Sequence, residues 1–302
     1  MIRRPRNLVG VPSVLGDVGT LAATERVAAT LHFQAIPVIG KFTFSVYSHA
    51  EVKGRLNQLF GHKCAYCEGV LKGMLPMDVE HYRPKGRIST RSGTILSPGY
   101  WWLASAWSNL LPSCIDCNRE RWHDEDNGVD HKHGKADKFP LAVGSHQAVA
   151  EGEEVLENTL LLNPAADDPQ PHLTFKVIEN DRMKESVAVA LTDHHGSADE
   201  KGIFSIDTYG LNRPGLVAVR MARIEELRLA LDGISRNWRL ARTTTDPVTA
   251  AELREACRED MRKVVRLYLH WKCPYSSACR EYFESWKTAT AGGAAMPVVN
   301  VA

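Results

Sequence analysis

The feature that most constrains this chain is a pair of matched turns, Cys64-Ala65-Tyr66-Cys67 and Cys114-Ile115-Asp116-Cys117, with 46 residues between Cys67 and Cys114. A CxxC turn aims two thiolates at one point, and two such turns complete the tetrahedral shell of a zinc ion. Four thiolates close that shell, so the ion is read as structural, with no open position for chemistry. A redox dithiol would need a thioredoxin-like unit around one pair, and none is visible. The gap is longer than in a simple zinc ribbon, so a whole functional element must fit between the turns. Cys257, Cys273 and Cys279 lack ligand spacing and are read as buried or free thiols.

Paired cysteines that bind metal suit a reducing compartment. The basic start, Met1–Asn7, is followed by no apolar run of the signal-peptide kind, and no segment is long and apolar enough to span a membrane. The expectation is a cytoplasmic protein without a membrane partner.

Glu80-His81, Asn109 and Asn118 lie between and just after the cysteine turns. Hydrolysis of a phosphodiester needs a base to deprotonate water, and positive charge to neutralise the phosphate and stabilise the leaving oxygen. A histidine does the first, and one hard divalent ion does the rest. Glu80 offers a carboxylate and Asn118 an amide oxygen, both suited to a Mg²⁺-like ion. Strand alternation would send Glu80 and His81 opposite ways, so the strand must twist or end here, with Arg83-Pro84 as the reason. His123 is the rival for the third position. On a helix starting near Cys117, Asn118 and His123 are about 140° apart, which favours Asn118. His131 and His133 fall in a segment, His123–Lys138, that reads as a polar loop.

Val79-Glu80-His81 after a CxxC, then Ser108-Asn109-Leu110, then Cys114-x-x-Cys117-Asn118 resembles the ββα-metal core of HNH endonucleases. The resemblance implies His81 as general base, Glu80 and Asn118 as metal ligands, and Asn109 as the brace of the loop between the two strands. Glu80 stands where Asp is more frequent in that family, and the stretch from His81 to Asn109 is long. Further motifs extend the likeness, among them Phe60-Gly61-His62-Lys63-Cys64, Tyr82-Arg83-Pro84-Lys85, Trp107-Ser108-Asn109-Leu110, Lys138-Phe139-Pro140-Leu141, Leu162-Asn163-Pro164 and Gly210-Leu211-Asn212-Arg213. Together they are similar to the nuclease-subunit family (PtuB) of Septu-type antiphage systems, also found in some retron systems. That resemblance implies DNA cleavage beside an ATPase subunit, a PtuA-like partner. RNA, tRNA included, is the alternative substrate, because the core grips mainly backbone. A zinc module that binds nucleic acid or a partner without cutting is the non-enzyme alternative, and it has no need of Glu80, His81 and Asn118.

The expected fold is therefore α+β: a ββα-metal core with a structural zinc held by four cysteines, surrounded by helices. Residues 1–63 read as an arm and helices, 64–172 as the core, and 173–302 as a mainly helical region. Helices are expected at Leu21–Phe33 and Glu51–Phe60, a strand at Met77–Tyr82, and a hairpin at Leu173–Leu191 around Asn180-Asp181. Apolar positions from Val217 to Trp238 recur at helical spacing, and Asp246-Pro247 starts a further helix. A net charge of +1 does not announce a nucleic-acid binder, but residues 1–63 hold eight Lys/Arg against three Asp/Glu. Arg83, Lys85 and Arg87 are the candidate phosphate contacts. Trp101, Trp102 and Trp107 read as core, and the arginines of 214–242, Arg220 included, as a solvated face.

Overall fold

The computed structural model describes residues 1–38, 40–73, 76–123, 131–179 and 184–290 of the 302. It is an α+β chain that divides into two compact units, one of Met1–Leu173 with Ala190–Arg213, the other of Thr174–Val189 with the residues from Pro214 onward.

In the first unit the arm makes two short 3₁₀ turns before helix α1 (Leu21–Gln34). Thr20 caps α1, its hydroxyl accepting from Ala23 N at 3.2 Å. Helix α2 (Ala50–Phe60) buries Val52, Leu56, Leu59 and Phe60 on one face, the spacing its sequence shows. It stops at Gly61, whose φ of 64° lies in the left-handed region, and the reversal delivers the chain to Cys64.

Strand β1 (Met77–His81) pairs antiparallel with β4 (Leu110–Cys114) in the register Met77↔Cys114 through His81↔Leu110. Between them lie a small hairpin of β2 (Ile88–Ser89) and β3 (Ile95–Leu96) and two aromatic 3₁₀ turns. Trp102 and Trp107 are buried there and Trp101 is half-buried. Helix α3 (Ile115–Asn118) follows β4 directly and is a single turn.

The helix expected to start near Cys117 does not continue past Asn118. Cys117 O and Asn118 O, which a helix would use at i+4, instead accept from Lys135 N at 2.9 Å and Ala136 N at 2.6 Å. The chain leaves α3 extended, as β5 (Arg121–His123), and returns as β6 (His131–His133), its antiparallel partner. The expected loop at His123–Lys138 is thus a hairpin, with residues 124–130 outside the described ones. His123 lies on a strand, its ring 5.8 Å from that of His133, so the helical argument separating it from Asn118 no longer applies. Gly134 makes the return possible. A Cβ there would stand 2.0 Å from Arg119 O, and its φ of +118° is closed to other residues.

The rest of this unit includes α4 (Glu200–Thr208), whose end carries Tyr209. Asn163, Asp167 and Asp168 form turns by accepting backbone N–H groups, and His172 Nδ1 lies 2.9 Å from Asp199. This segment is structural, in keeping with its prolines.

The second unit holds the strand pair β7 (Leu173–Glu179) and β8 (Lys184–Ala190), with the turn expected at Asn180-Asp181 outside the described residues. Helices α5 (Pro214–Thr243), α6 (Pro247–Val264) and α7 (Ser276–Thr290) pack around Leu227, Leu231, Ile234, Cys257, Met261 and Phe283. Asp246 caps α6 by accepting from Val248 N and Thr249 N. Arg220 departs from the solvated face assigned to it. It is buried, donates to Ser186 O at 3.0 Å and lies over the Phe175 ring. Burying its charge obliges the hairpin carbonyl to satisfy it.

Gly134→Ala should destabilise the chain by more than Gly144→Ala. Both positions have positive φ, costing about 1–2 kcal/mol for alanine, but only Gly134 meets backbone. Urea midpoints of the two variants measure the difference; equal losses would contradict the role given to Gly134.

Candidate functional site

The Cys64 turn is built by backbone bonds. Cys64 N donates to Gly69 O, Glu68 N to Cys64 O, and Ala65 N to Pro112 O of β4 at 2.8 Å. The last of these ties the first cysteine turn to the strand that carries the second. Tyr66, fully buried, stacks on Tyr209 with ring centres 3.8 Å apart.

The result is a cluster of four buried thiols, Cys64, Cys67, Cys114 and Cys117, whose sulfurs all lie within 4.8 Å of one another. Zinc–thiolate bonds of about 2.3 Å put tetrahedral sulfurs roughly 3.8 Å apart, and Cys67 Sγ is 3.8 Å from Cys114 Sγ. The cluster therefore fits one tetrahedral ion such as zinc. Hydrogen bonds from Cys114 and Cys117 hold the Cys67 thiol well below its ordinary range, while burial pushes Cys117 well above. Arg213 lies against the sulfurs, 3.4 Å from Cys117 Sγ and 3.8 Å from Cys114 Sγ. Burial works against its charge, but the neighbouring sulfurs outweigh this and raise its pKa. A four-thiolate ion carries excess negative charge, and a buried guanidinium is its natural counterweight.

The β1–β4 pair also borders a cavity of about 470 Å³ lined by Asp78, Glu80, His81, Lys85, Arg87, Asn118 and Arg119 among others. His81 is buried; its Nε2 lies 2.8 Å from Ala104 O, and its Nδ1 is 3.3 Å from Lys85 Nζ. A carbonyl only accepts, so Nε2 carries the proton and Nδ1 is the basic atom. Burial, then the charge of Lys85, pushes the imidazole well below its ordinary pKa, so it is neutral at neutral pH. The ring of Tyr47 meets that of His81 edge-on, with Lys85 Nζ 4.4 Å from the Tyr47 ring centre.

Glu80 is equally buried. Burial raises its pKa, and Lys135, whose Nζ lies 2.7 Å from Oε1, opposes the rise. Lys135 is itself inaccessible and also donates to His81 O at 2.9 Å. Asn118 donates to Asp78 Oδ2 at 2.9 Å, and Arg119 grips both oxygens of Asp78. Asn109 clamps the turn after β1: Oδ1 accepts from Arg83 N at 2.7 Å, and Nδ2 donates to Arg83 O and Leu103 O.

Glu80, His81 and Asn118 thus share one cavity, with Asn109 behind it. Arg83 does not line it. Its guanidinium pairs with Glu157 at 2.8 Å and lies among the Tyr82, Tyr100 and Phe139 rings. Lys85 and Arg87 do line it, Arg87 paired with Asp137. Two residues escaped the sequence reading. Asp78 was within reach of it, two places before Glu80 and so on the same strand face. Lys135 carries no local signal, because only the β5–β6 hairpin brings it to Glu80.

No protein-family profile matches the chain, and no solved structure does. Among curated proteins it is 34% identical over 233 residues to the Septu protein PtuB of Bacillus mycoides (strain KBAB4), covering 76% of this chain and 69% of that protein. It is also 27% identical over 167 residues to the Septu protein PtuA of the same strain, covering 55% of this chain but only 20% of that one.

Purified chain should hold one tightly bound zinc, and Cys67→Ser should lose it. Because the binding energy of such an ion is folding energy, a loss of even about 4 kcal/mol lowers Tm by roughly 8–16 °C in a unit of this size. Elemental analysis and a melting curve check both points; a wild-type chain without tightly held metal would contradict them.

Proposed function

Because the chain belongs to the PtuB family of Septu proteins, we propose that it is a metal-dependent HNH endonuclease that hydrolyses DNA phosphodiester bonds as an antiphage effector. The β1–β4 pair and the α3 turn are read as a ββα-metal core whose helix is cut to one turn. The observation that carries the reading is His81: a neutral imidazole with its basic Nδ1 fixed by Ala104, on a wall that also bears Asp78, Glu80 and Asn118.

In this reading His81 Nδ1 takes a proton from water as the water oxygen forms its bond to phosphorus and the P–O bond of the leaving group breaks. Lys85 caps Nδ1 in the resting site. A substrate phosphate offers its ammonium a stronger acceptor and frees the nitrogen. Asn109 fixes the turn that aims His81. Glu80 and Asn118 are the proposed ligands of a Mg²⁺-like ion, and Asp78 adds a second carboxylate to this set of hard oxygen donors. Such an ion supplies charge neutralisation at the phosphate and at the leaving oxygen. Lys135, 2.7 Å from Oε1, opposes the rise that burial gives the Glu80 pKa and so favours the carboxylate form that would hold such an ion.

The family also supports a PtuA-like ATPase subunit as partner, with helical surface of 214–287 as its dock. No helix is long and apolar enough to cross a membrane among the described residues, and the cytoplasm remains the proposed location.

The test is Mg²⁺-dependent nicking of plasmid, with total tRNA in parallel, by chain co-expressed with the ATPase subunit. Wild type should co-elute with that subunit and nick plasmid. His81→Ala should lose about 10²-fold or more of the rate with zinc content and Tm unchanged. Cleavage of tRNA alone would move the substrate to RNA; a His81→Ala protein that cuts as fast as wild type would refute the assignment.

A further inference from the structure

A second cavity, of about 800 Å³, opens beside the first. Its walls are aromatic and basic: Phe33 at the end of α1, Lys41, Phe42 and Phe44 on the segment after it, and Lys85 and Arg87 on the far side. Lys85, Gly86 and Arg87 line both cavities, so the wall that ends the catalytic cleft begins the aromatic one.

The rings pack against one another yet keep part of their area exposed. Phe33 stacks on Trp101 with centres 4.9 Å apart and planes 19° from parallel. Phe44 is nearly parallel to it, 10° off at 6.4 Å, and Phe42 leans on Phe44 at 4.8 Å. All three phenylalanines are half-buried, and Lys41 is exposed. A purely structural cluster of this size would close over its rings, as Tyr100 and Phe139 do in the same unit. Here rings that retain exposure border a cavity edged by ammonium and guanidinium groups. Flat apolar faces beside fixed positive charge are complementary to one ligand chemistry above others, an unstacked base on a polyanionic backbone. The volume lies within the range of about 300–1,000 Å³ typical of pockets for compact ligands.

We infer that this aromatic pocket takes an unstacked nucleobase of the substrate strand, next to the phosphate held at His81. The choice of ligand rests on the nuclease reading above; the pocket adds what that reading lacks, a preference for single-stranded or locally opened nucleic acid. Stacking tolerates any base, so the pocket confers strand conformation and not sequence. The basic wall shared by the two cavities serves the backbone between the stacked base and the cleaved bond.

The test is fluorescence anisotropy without added Mg²⁺, using labelled oligonucleotides of about ten nucleotides, a length that spans such a site. Oligo-dT and oligo-rU are compared with an abasic chain of the same length and charge. Wild type should bind at least one base-bearing strand roughly ten-fold more tightly than the abasic one, and the better of the two assigns the sugar. Phe42→Ala should remove most of that difference while leaving affinity for the abasic strand, zinc content and Tm in place; Phe42→Tyr should preserve it. Equal binding of abasic and base-bearing strands by wild type overturns the pocket. If such a protein nicks plasmid, the nuclease reading stands alone. If base-dependent binding appears in a protein that cuts nothing, the pocket stands and the nuclease reading falls.

Discussion

Four sulfur atoms and the strand ladder they close hold the first unit in register. Cys114 ends β4 directly opposite Met77, where β1 begins, and Cys117 lies in the single turn of α3 that carries Asn118. Cys64 and Cys67 join this corner from the end of α2, and Ala65 bonds to β4. Two strands of five residues make too little surface to be stable by themselves. One ion at this corner, with Arg213 balancing its charge, would fix a strand pair, a helical turn and a preceding helix together.

Beside the same pair, buried charges answer one another. Glu80 and His81 are both inaccessible, and each would be costly to bury alone. Lys135 answers Glu80, while Ala104 O and Lys85 hold His81 neutral and oriented. The site's acid–base character therefore depends on the return of β6, which depends on Gly134 passing Arg119 without a side chain. A hairpin that looks peripheral is thus a support of the cleft.

Local signals were the ones legible in the sequence. Asp246 as a cap, the apolar faces of α2 and α5, and the paired CxxC turns all act within a few residues, and each produced the expected local structure or cluster. What the sequence did not reveal was decided by partners far along the chain. The polar run after Cys117 has no apolar period, so nothing local distinguished loop from hairpin. Arg83 read as a phosphate contact and Arg220 as solvent-facing because their partners, Glu157 and Ser186, are distant in sequence. Lys135 reaches Glu80 only after the fold is complete. Asp78 is the exception, because strand alternation alone places it on the same face as Glu80.

The thiolate corner organises the neighbouring site, and hydrogen–deuterium exchange on the zinc-loaded and the metal-stripped chain measures this directly. The account predicts that stripping exposes the amides of Cys64, Ala65, Lys135 and Ala136 together with β1 and β4, while α5 and α6 keep their protection. If β1, β4 and the Lys135–Ala136 amides remain protected once the metal is gone, the corner does not organise the site and the account is wrong.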